Sequence, residues 1–409
     1  MARKSKTNEV IENPMAQVAV PDAIDCIKRL DSRTPAMLWG EPGCGKTRTL
    51  IDKFRDHIVI PVLAGQSEPT DIGGIPFNYK DQHAKYLVPW WGFYASTHED
   101  VKEYRMLPDG TIIHDPEGKT KNTRSLDGPM VLFFDDIVTA HEQTQAAFYK
   151  VVDEKKIGEL TIRENVRIIA AGNRVDDMSA VTDMPKALCN RFMHFYVRPN
   201  VDKWLEWATV SGIHPHVTFF VRNNQQHLSG FEDAKNSTQV HAWPTPRTWE
   251  MLSRTLHELD TAGLRSSTGD ASEAGVDYEY TMIQGCIGAL ASSFHATIRN
   301  KFQIVTVEEI LKNPSKAEVP PLSQPDRLYA TVSNLEYWYA QKENHDKYEP
   351  FITYTLRLPD DFGVLLARQF VAVLTSDGMD EKLSQKIMQS QAMWSLFDKW
   401  NDKIQVDLE

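Results

Sequence analysis

Leu38 to Leu50 reads LWGEPGCGKTRTL, a glycine-rich stretch between two apolar flanks. Gly40 to Thr47 fits the spacing G-x-x-x-x-G-K-[ST]. Glycines let the backbone wrap closely, so that its N–H groups face phosphate oxygens, and a helix that follows adds its positive N-terminus. The stretch predicts a phosphate cradle made of Gly40, Glu41, Pro42, Gly43, Cys44, Gly45, Lys46, Thr47 and Arg48. In such a cradle the lysine, Lys46, reaches the β- and γ-phosphates, and the hydroxyl of Thr47 holds Mg²⁺. Cys44 inside the loop reads as a small filler residue, with redox control as the alternative.

Outward from the loop the pattern is that of an α/β domain. AMLW (36–39) is an apolar strand before it, and a helix is expected from about Lys46 to Phe54. HIVIPVLAG (57–65), GPMVLFFDDI (128–137), VRIIAAGNR (166–174) and RFMHFYV (191–197) read as four further strands. Residues 15–30 read as a short helix leading into the first strand. HEQTQAAFYKVVDE (141–154) has apolar residues at helical spacing, and a short helix is expected near 185–190. Apolar strands alternating with helices imply a parallel sheet covered by helices on both faces. EKKIGELTIRE (154–164) reads as a hairpin turning at Gly158. Residues 66–125 are polar, aromatic and rich in Gly and Pro, and read as an insertion with a hairpin near Asp109-Gly110.

Ligands of parallel sheets sit at the carboxyl ends of the strands. GEPGCGKT, the paired acids of VLFFDD and the Gly-Asn of IIAAGN all fall there. Asp135 is placed to hold the Mg²⁺ shell and Asp136 to polarise an attacking water. Asn173 is placed to bond the γ-phosphate or that water. Arg191, in LCNRF, is placed to reach a neighbouring subunit's nucleotide as an arginine finger. Arg247, in WPTPRTWEML, opens a helix with Thr245 as its cap and Pro246 in its first turn, and is placed to swing onto the γ-phosphate.

After residue 200 the pattern is helical: a lid over 201–300 and a C-terminal extension over 301–409 follow a core at 15–200 and a flexible tail at 1–14. Loops are expected at 228–242 and 264–277, and NPSKAEVPPLSQPDR (313–327) reads as a proline-rich linker. DFGVLLARQFVAVLTS and EKLSQKIMQSQAMWSLFDKW read as two closing helices, the second with a core stripe of Leu383, Ile387, Leu396, Phe397 and Trp400. His214 and His216 read as loop histidines, because no further metal ligand stands near them in sequence.

Composition bounds the rest. The chain has 409 residues, 41% hydrophobic and 25% charged, which suits a globular protein of two or three domains. No stretch reaches the run of about 18 apolar residues that spans a bilayer, and the start has no apolar signal region. The formal net charge of −11 repels nucleic acid. Cys26, Cys44, Cys189 and Cys286 form no CxxC, which fits a reducing cytoplasm.

The order GEPGCGKT, VLFFDDI, AAGN, CNRF, TPR resembles an AAA+ ATPase. TDIGGIPF (70–77), the helix HEQTQAAFYKVVDEKKIGE and the hairpin EKKIGELTI are similar to segments of its MoxR-like branch. The resemblance covers about residues 20–300. It implies Lys46 and Thr47 as Walker A, Asp135 and Asp136 as Walker B, Asn173 as sensor 1, Arg191 as the finger and Arg247 as sensor 2. It also implies ATP and Mg²⁺, a ring that is usually hexameric, and chaperone-like remodelling of a protein partner, often one with a von Willebrand A domain. The family commonly has Glu where this chain has Asp136, so an alternative is a nucleotide-gated assembly module with little turnover. A nucleic-acid motor is disfavoured by the charge. In a ring, Phe77, Tyr79, Tyr86, Trp90 and Trp91 of the insertion would line the pore; the competing reading is a packed insert at a subunit contact.

Overall fold

The computed structural model describes residues 16–80, 83–174, 184–237, 242–262, 278–299, 305–375, 379–400 and 403. The expected N-terminal tail and the loop at 264–277 lie outside the described residues. The chain divides into two compact units, Met1–Arg198 and Pro199–Glu409.

The first unit is built on a six-stranded parallel sheet: β1 (Gln17–Ala19), β2 (Ala36–Trp39), β3 (Ile58–Leu63), β4 (Met130–Asp135), β5 (Val166–Gly172) and β6 (Met193–Arg198). The spatial order is β1-β6-β2-β5-β4-β3, with Leu38 opposite Ala171, Ile168 opposite Leu132 and Asp135 opposite Leu63. Alternate residues of β4 enter two different cores. Met130, Leu132 and Phe134 pack on one face, and Val131 and Phe133 on the other. That two-sided burial is why the strands read as unbroken apolar runs. Complete burial of Phe133 and Phe134 contributes about 1.5–3 kcal/mol each.

Helix α1 (Val20–Arg29) buries Val20, Ala23, Ile24 and Ile27, the three-and-four spacing of one helix face. It shares its core with Leu50, inside α2 (Lys46–Lys53), and Phe54, just beyond its end. On the other face α3 (Glu142–Glu154) buries Phe148, Val151 and Val152. The structure corrects the reading of residues 15–30: Gln17–Ala19 is an edge strand paired with Tyr196–Arg198, and the helix starts only at Val20.

The insertion folds on the sheet's α3 face. It holds a short helix, Pro69–Gly73, a hairpin of Ile75–Tyr79 with His83–Leu87, a helix at Trp90–Ala95, and three short strands at Tyr104–Met106, Ile112–His114 and Arg124–Ser125. Trp91, Ala95, Val101 and Leu126 anchor it in the core. Trp91 is 3% exposed and meets Phe134 edge-on at 5.5 Å, so this aromatic is a core residue and lines no pore. Trp90 is 57% exposed.

The second unit is helical: α4 (Val201–Val210), α5 (Pro215–Asn223), α6 (Pro246–Thr261), α7 (Tyr278–Ile287), α8 (Ala291–Arg299), α9 (Val307–Lys312), α10 (Pro325–Ala340), α11 (Tyr348–Thr355), α12 (Asp360–Leu374), α13 (Glu381–Met388) and α14 (Gln391–Trp400). One apolar cluster gathers α4 to α8, and a second gathers α9 to α14. A buried pair, Arg222 of α5 and Glu336 of α10 at 3.0 Å, links the two groups of helices. The last expected helix is two helices: the chain turns at Gln389 and Ser390, and Ser390 Oγ accepts from Met393 N to start the second. Ile387, Leu396 and Trp400 are buried, with Leu383 and Phe397 packed against them. A short helix, Phe231–Lys235, interrupts the expected loop at 228–242. No helix among the described residues is long and apolar enough to cross a membrane.

Candidate functional site: a phosphate cradle at a switch point

The connection into β2 comes from β1 on one side, and the connection out of it leads to β3 at the opposite edge. The carboxyl end of β2 is therefore a topological switch point, where open parallel sheets bind ligands. The glycine loop begins there. Gly40 has no room for a side chain, since a Cβ would stand 2.7 Å from Val197 Cγ2 and 2.9 Å from Val197 O. Its N–H donates to Gly172 O at 3.2 Å, which ties the loop to β5. Gly45, at φ +96°, precedes α2 in the left-handed region that favours glycine. No side chain caps α2, so its first N–H groups remain available to an anion.

Lys46 is only 7% exposed. Its Nζ donates to Gly40 O at 2.7 Å, Glu41 O at 3.1 Å and Asn173 Oδ1 at 3.2 Å. These three acceptors are uncharged, and Cys44 Sγ lies 4.0 Å from the same nitrogen, so an anionic oxygen would add to the solvation of this buried ammonium. Thr47 Oγ1 donates to Asp135 Oδ2 at 2.7 Å. The structure thus brings Lys46, Thr47, Asp135 and Asn173 together from the ends of β2, β4 and β5. A hydroxyl and a carboxylate side by side are hard oxygen ligands, the set that Mg²⁺ takes together with waters and phosphate.

Asp136 is exposed, with a left-handed backbone at φ +52°. Its N–H donates to Asp135 Oδ1 at 3.1 Å, and its carbonyl accepts from Thr139 N at 3.0 Å and Thr139 Oγ1 at 2.8 Å. Asp and Asn enter that region more readily than longer or branched residues. The backbone accounts physically for aspartate at this position. Burial pushes the Cys44 thiol up from its ordinary value, with the Lys46 charge opposing.

Arg191 follows the helix Lys186–Cys189. Its Nη2 pairs with Asp153 Oδ2 of α3 at 2.9 Å, Nη1 donates to Ala187 O at 2.6 Å, and the guanidinium lies over the Tyr149 ring. Nε is buried with no hydrogen-bond partner among the described residues. Arg191 thus contacts none of the four cradle residues. Asp153 and Tyr149 carry no sequence signal beyond helical spacing, which is why they went unread. Arg247 is exposed in the first turn of α6, where Thr245 Oγ1 accepts from Thr248 N at 3.1 Å.

No family model matches the chain, and no curated protein matches it. Among solved structures it is similar to NtrX from Brucella abortus, at 11% identity and TM-score 0.32, covering 87% of this chain and 67% of that one. NtrX in complex with ATP is similar at 11% identity and TM-score 0.31, over 92% of this chain and 67% of that one. A closed-state reconstruction of Hsp104 with ATPyS and FITC casein is similar at 14% identity and TM-score 0.31, over 58% of this chain and 41% of that one.

His214, His257 and Asp260 form a second cluster of potential ligands, in the helical unit. His214 stands just before α5 and is its N-cap, whereas His216 lies inside the helix, which corrects the reading of His216 as a loop residue: His214 Nδ1 accepts from His216 N at 3.1 Å and its Nε2 lies 2.9 Å from Asp260 Oδ2. The cap fixes the ring proton on Nε2, the atom that faces the carboxylate. A metal there would displace that proton and leave the ring anionic, so the trio fits a hydrogen-bonded helix contact better than a metal site.

Proposed function

We propose that the chain is a Mg²⁺-dependent ATPase of AAA+ type that works as a ring of copies. The observation that carries this reading is the convergence of Lys46, Thr47, Asp135 and Asn173 at the switch point. Lys46 donates to the β- and γ-phosphate oxygens once Asn173 and the loop carbonyls release it. Asn173 is then free to orient the attacking water, and Asp136 accepts that water's proton. Thr47 and Asp135 would hold Mg²⁺, which would supply charge neutralisation to the phosphates. Arg191 leaves Asp153 and reaches the nucleotide of a neighbouring copy, and the unpartnered Nε favours treating its present pose as a parked one. Arg247 closes from the helical unit.

The finer reading is a MoxR-like ring, hexameric and cytoplasmic, that remodels a protein partner with a von Willebrand A domain. A second reading, nucleotide-gated assembly with little turnover, is favoured by the short acid at Asp136. Steady-state hydrolysis beside light-scattering mass in Mg·ATP tests the proposal. Lys46→Ala abolishes turnover, and Arg191→Ala lowers it only where copies assemble. A chain that stays monomeric in excess Mg·ATP and leaves the nucleotide intact defeats the proposal. Assembly on ATP without turnover selects the second reading.

A further inference from the structure

A line of hydrogen bonds begins one residue before the phosphate loop and ends on the segment that carries Arg191. Trp39 closes β2, and its indole Nε1, which can only donate, lies 2.7 Å from His194 Nδ1 on β6. Nδ1 therefore holds a lone pair, and the ring proton sits on Nε2. Nε2 lies 2.8 Å from the carbonyl oxygen of Cys189, which can only accept. The two partners leave His194 one neutral tautomer with both nitrogens in use. The Trp39 and His194 rings lie 6.0 Å apart and 21° from parallel, the near-coplanar pose that a bond between two in-plane ring nitrogens requires.

Each end of this line has a role in the site. Trp39 is followed by Gly40, whose backbone is tied to Gly172 and crowded by Val197. Cys189 ends the helix against which Arg191 rests: Arg191 N donates to Leu188 O at 3.0 Å, and Nη1 to Ala187 O. The two bonds join the end of β2 to the helix below Arg191.

We propose that His194 is a positioning residue that ties the placement of Arg191 to strand β2 and so holds the arginine where a neighbouring copy can take it. This rests on the reading of Arg191 as acting in trans. The competing account is that Trp39 and His194 merely brace β2 against β6.

Mixed assemblies separate the two. Lys46→Ala copies, with a dead cradle and an intact arginine, are combined with Arg191→Ala copies, with an intact cradle and no arginine. The first supply the arginine that the second lack, so hydrolysis is rescued. His194→Phe is then added to the Lys46→Ala copies, whose own cradle is already silent, so damage to that cradle does not register. The expected result is a fall of about tenfold or more in the rescued kcat with KM for ATP unchanged, the pattern of a misplaced transition-state group. His194→Gln, whose amide can accept from Trp39 and donate to Cys189, keeps most of the rescue. Trp39→Phe in the same copies repeats the fall without altering His194. Full rescue with both His194→Phe and Trp39→Phe overturns the proposal, as does a Gln variant as poor as the Phe variant. Absence of rescue in the parent mixture removes the trans role of Arg191, and the proposal falls with it.

Discussion

Thr47 and Asp135 stand 88 residues apart in sequence and share a 2.7 Å hydrogen bond across the end of β5. Both oxygens are hard ligands of the kind that a divalent cation takes. Thr47→Val and Asp135→Asn are therefore expected to leave nucleotide binding in EDTA nearly unchanged and to remove the increment that Mg²⁺ adds. Turnover falls on the order of a hundredfold or more, because metal charge stabilisation is worth several kcal/mol. Titration of a fluorescent ATP analogue with and without Mg²⁺ reads this directly. An unaltered Mg²⁺ increment in both variants means that these oxygens are not the ligands.

The left-handed backbone of Asp136 separates its structural role from its chemical one. Asp136→Asn suits the same backbone, so its melting temperature stays near that of the parent. Its turnover drops by about 10²–10⁴, the worth of a positioned general base. Asp136→Val places a branched residue at positive φ and destabilises the fold by about 1–2 kcal/mol. Undiminished hydrolysis by the Asn variant would take Asp136 out of the chemistry.

The pair between Arg191 and Asp153 is half exposed, which limits its worth to about 0–1 kcal/mol. Asp153→Ala accordingly leaves the melting temperature almost unchanged and does not slow hydrolysis, since the arginine is freed and not lost. Arg191→Ala slows hydrolysis by about 10³ or more, as loss of an arginine finger does. Arg191→Lys does not restore it, because an ammonium lacks the planar fork. If Asp153→Ala slows hydrolysis as much as Arg191→Ala, the pair acts as one structural unit and the parked pose is wrong.

The parts of this molecule that were readable in sequence are those whose signal is local. β4 and β5 are buried on both faces and so are written as apolar runs, and the loop from Gly40 to Thr47 is written in backbone chemistry. Lys46, Thr47, Asp135 and Asn173 were found because they sit at strand tips that a parallel sheet brings together. Gln17–Ala19 was read as helix because three residues carry no period, and their strand character comes from distant β6. The break between α13 and α14 was invisible because Gln389 and Ser390 are neither Gly nor Pro and the apolar spacing runs on. The Trp39 bond of His194 and the Asp153 partner of Arg191 are contacts between side chains distant in sequence, which no local pattern encodes.

Burial raises the Cys44 thiol, so at a given pH it holds less thiolate than an ordinary cysteine. Alkylation follows the thiolate fraction and access, and Cys44 lacks both, whereas Cys26 is exposed. Iodoacetamide at pH 8 is expected to label Cys26 first and Cys44 only after unfolding, as read by peptide mass mapping. Labelling of both at equal rates in the folded protein would show a phosphate loop open to solvent.

Trp90 and Trp91 are adjacent in sequence and opposite in environment. Trp91 is packed on Phe134 in the sheet core, whereas Trp90 faces outward beside Tyr94. Trp91→Ala removes a large buried ring and costs about 3–5 kcal/mol, with slower hydrolysis following from the loosened β4. Trp90→Ala stays within about 0.5 kcal/mol of the parent, as exposed substitutions do. Urea denaturation of the two variants beside the parent measures both, and equal midpoints for Trp91→Ala and the parent would mean that the insertion is not anchored through this ring. Trp90 and Tyr86 are exposed aromatic rings of the insertion, beside the exposed Ile75 and Leu87. A loss of partner processing in Trp90→Ala with unchanged basal hydrolysis is the outcome that separates grip from packing.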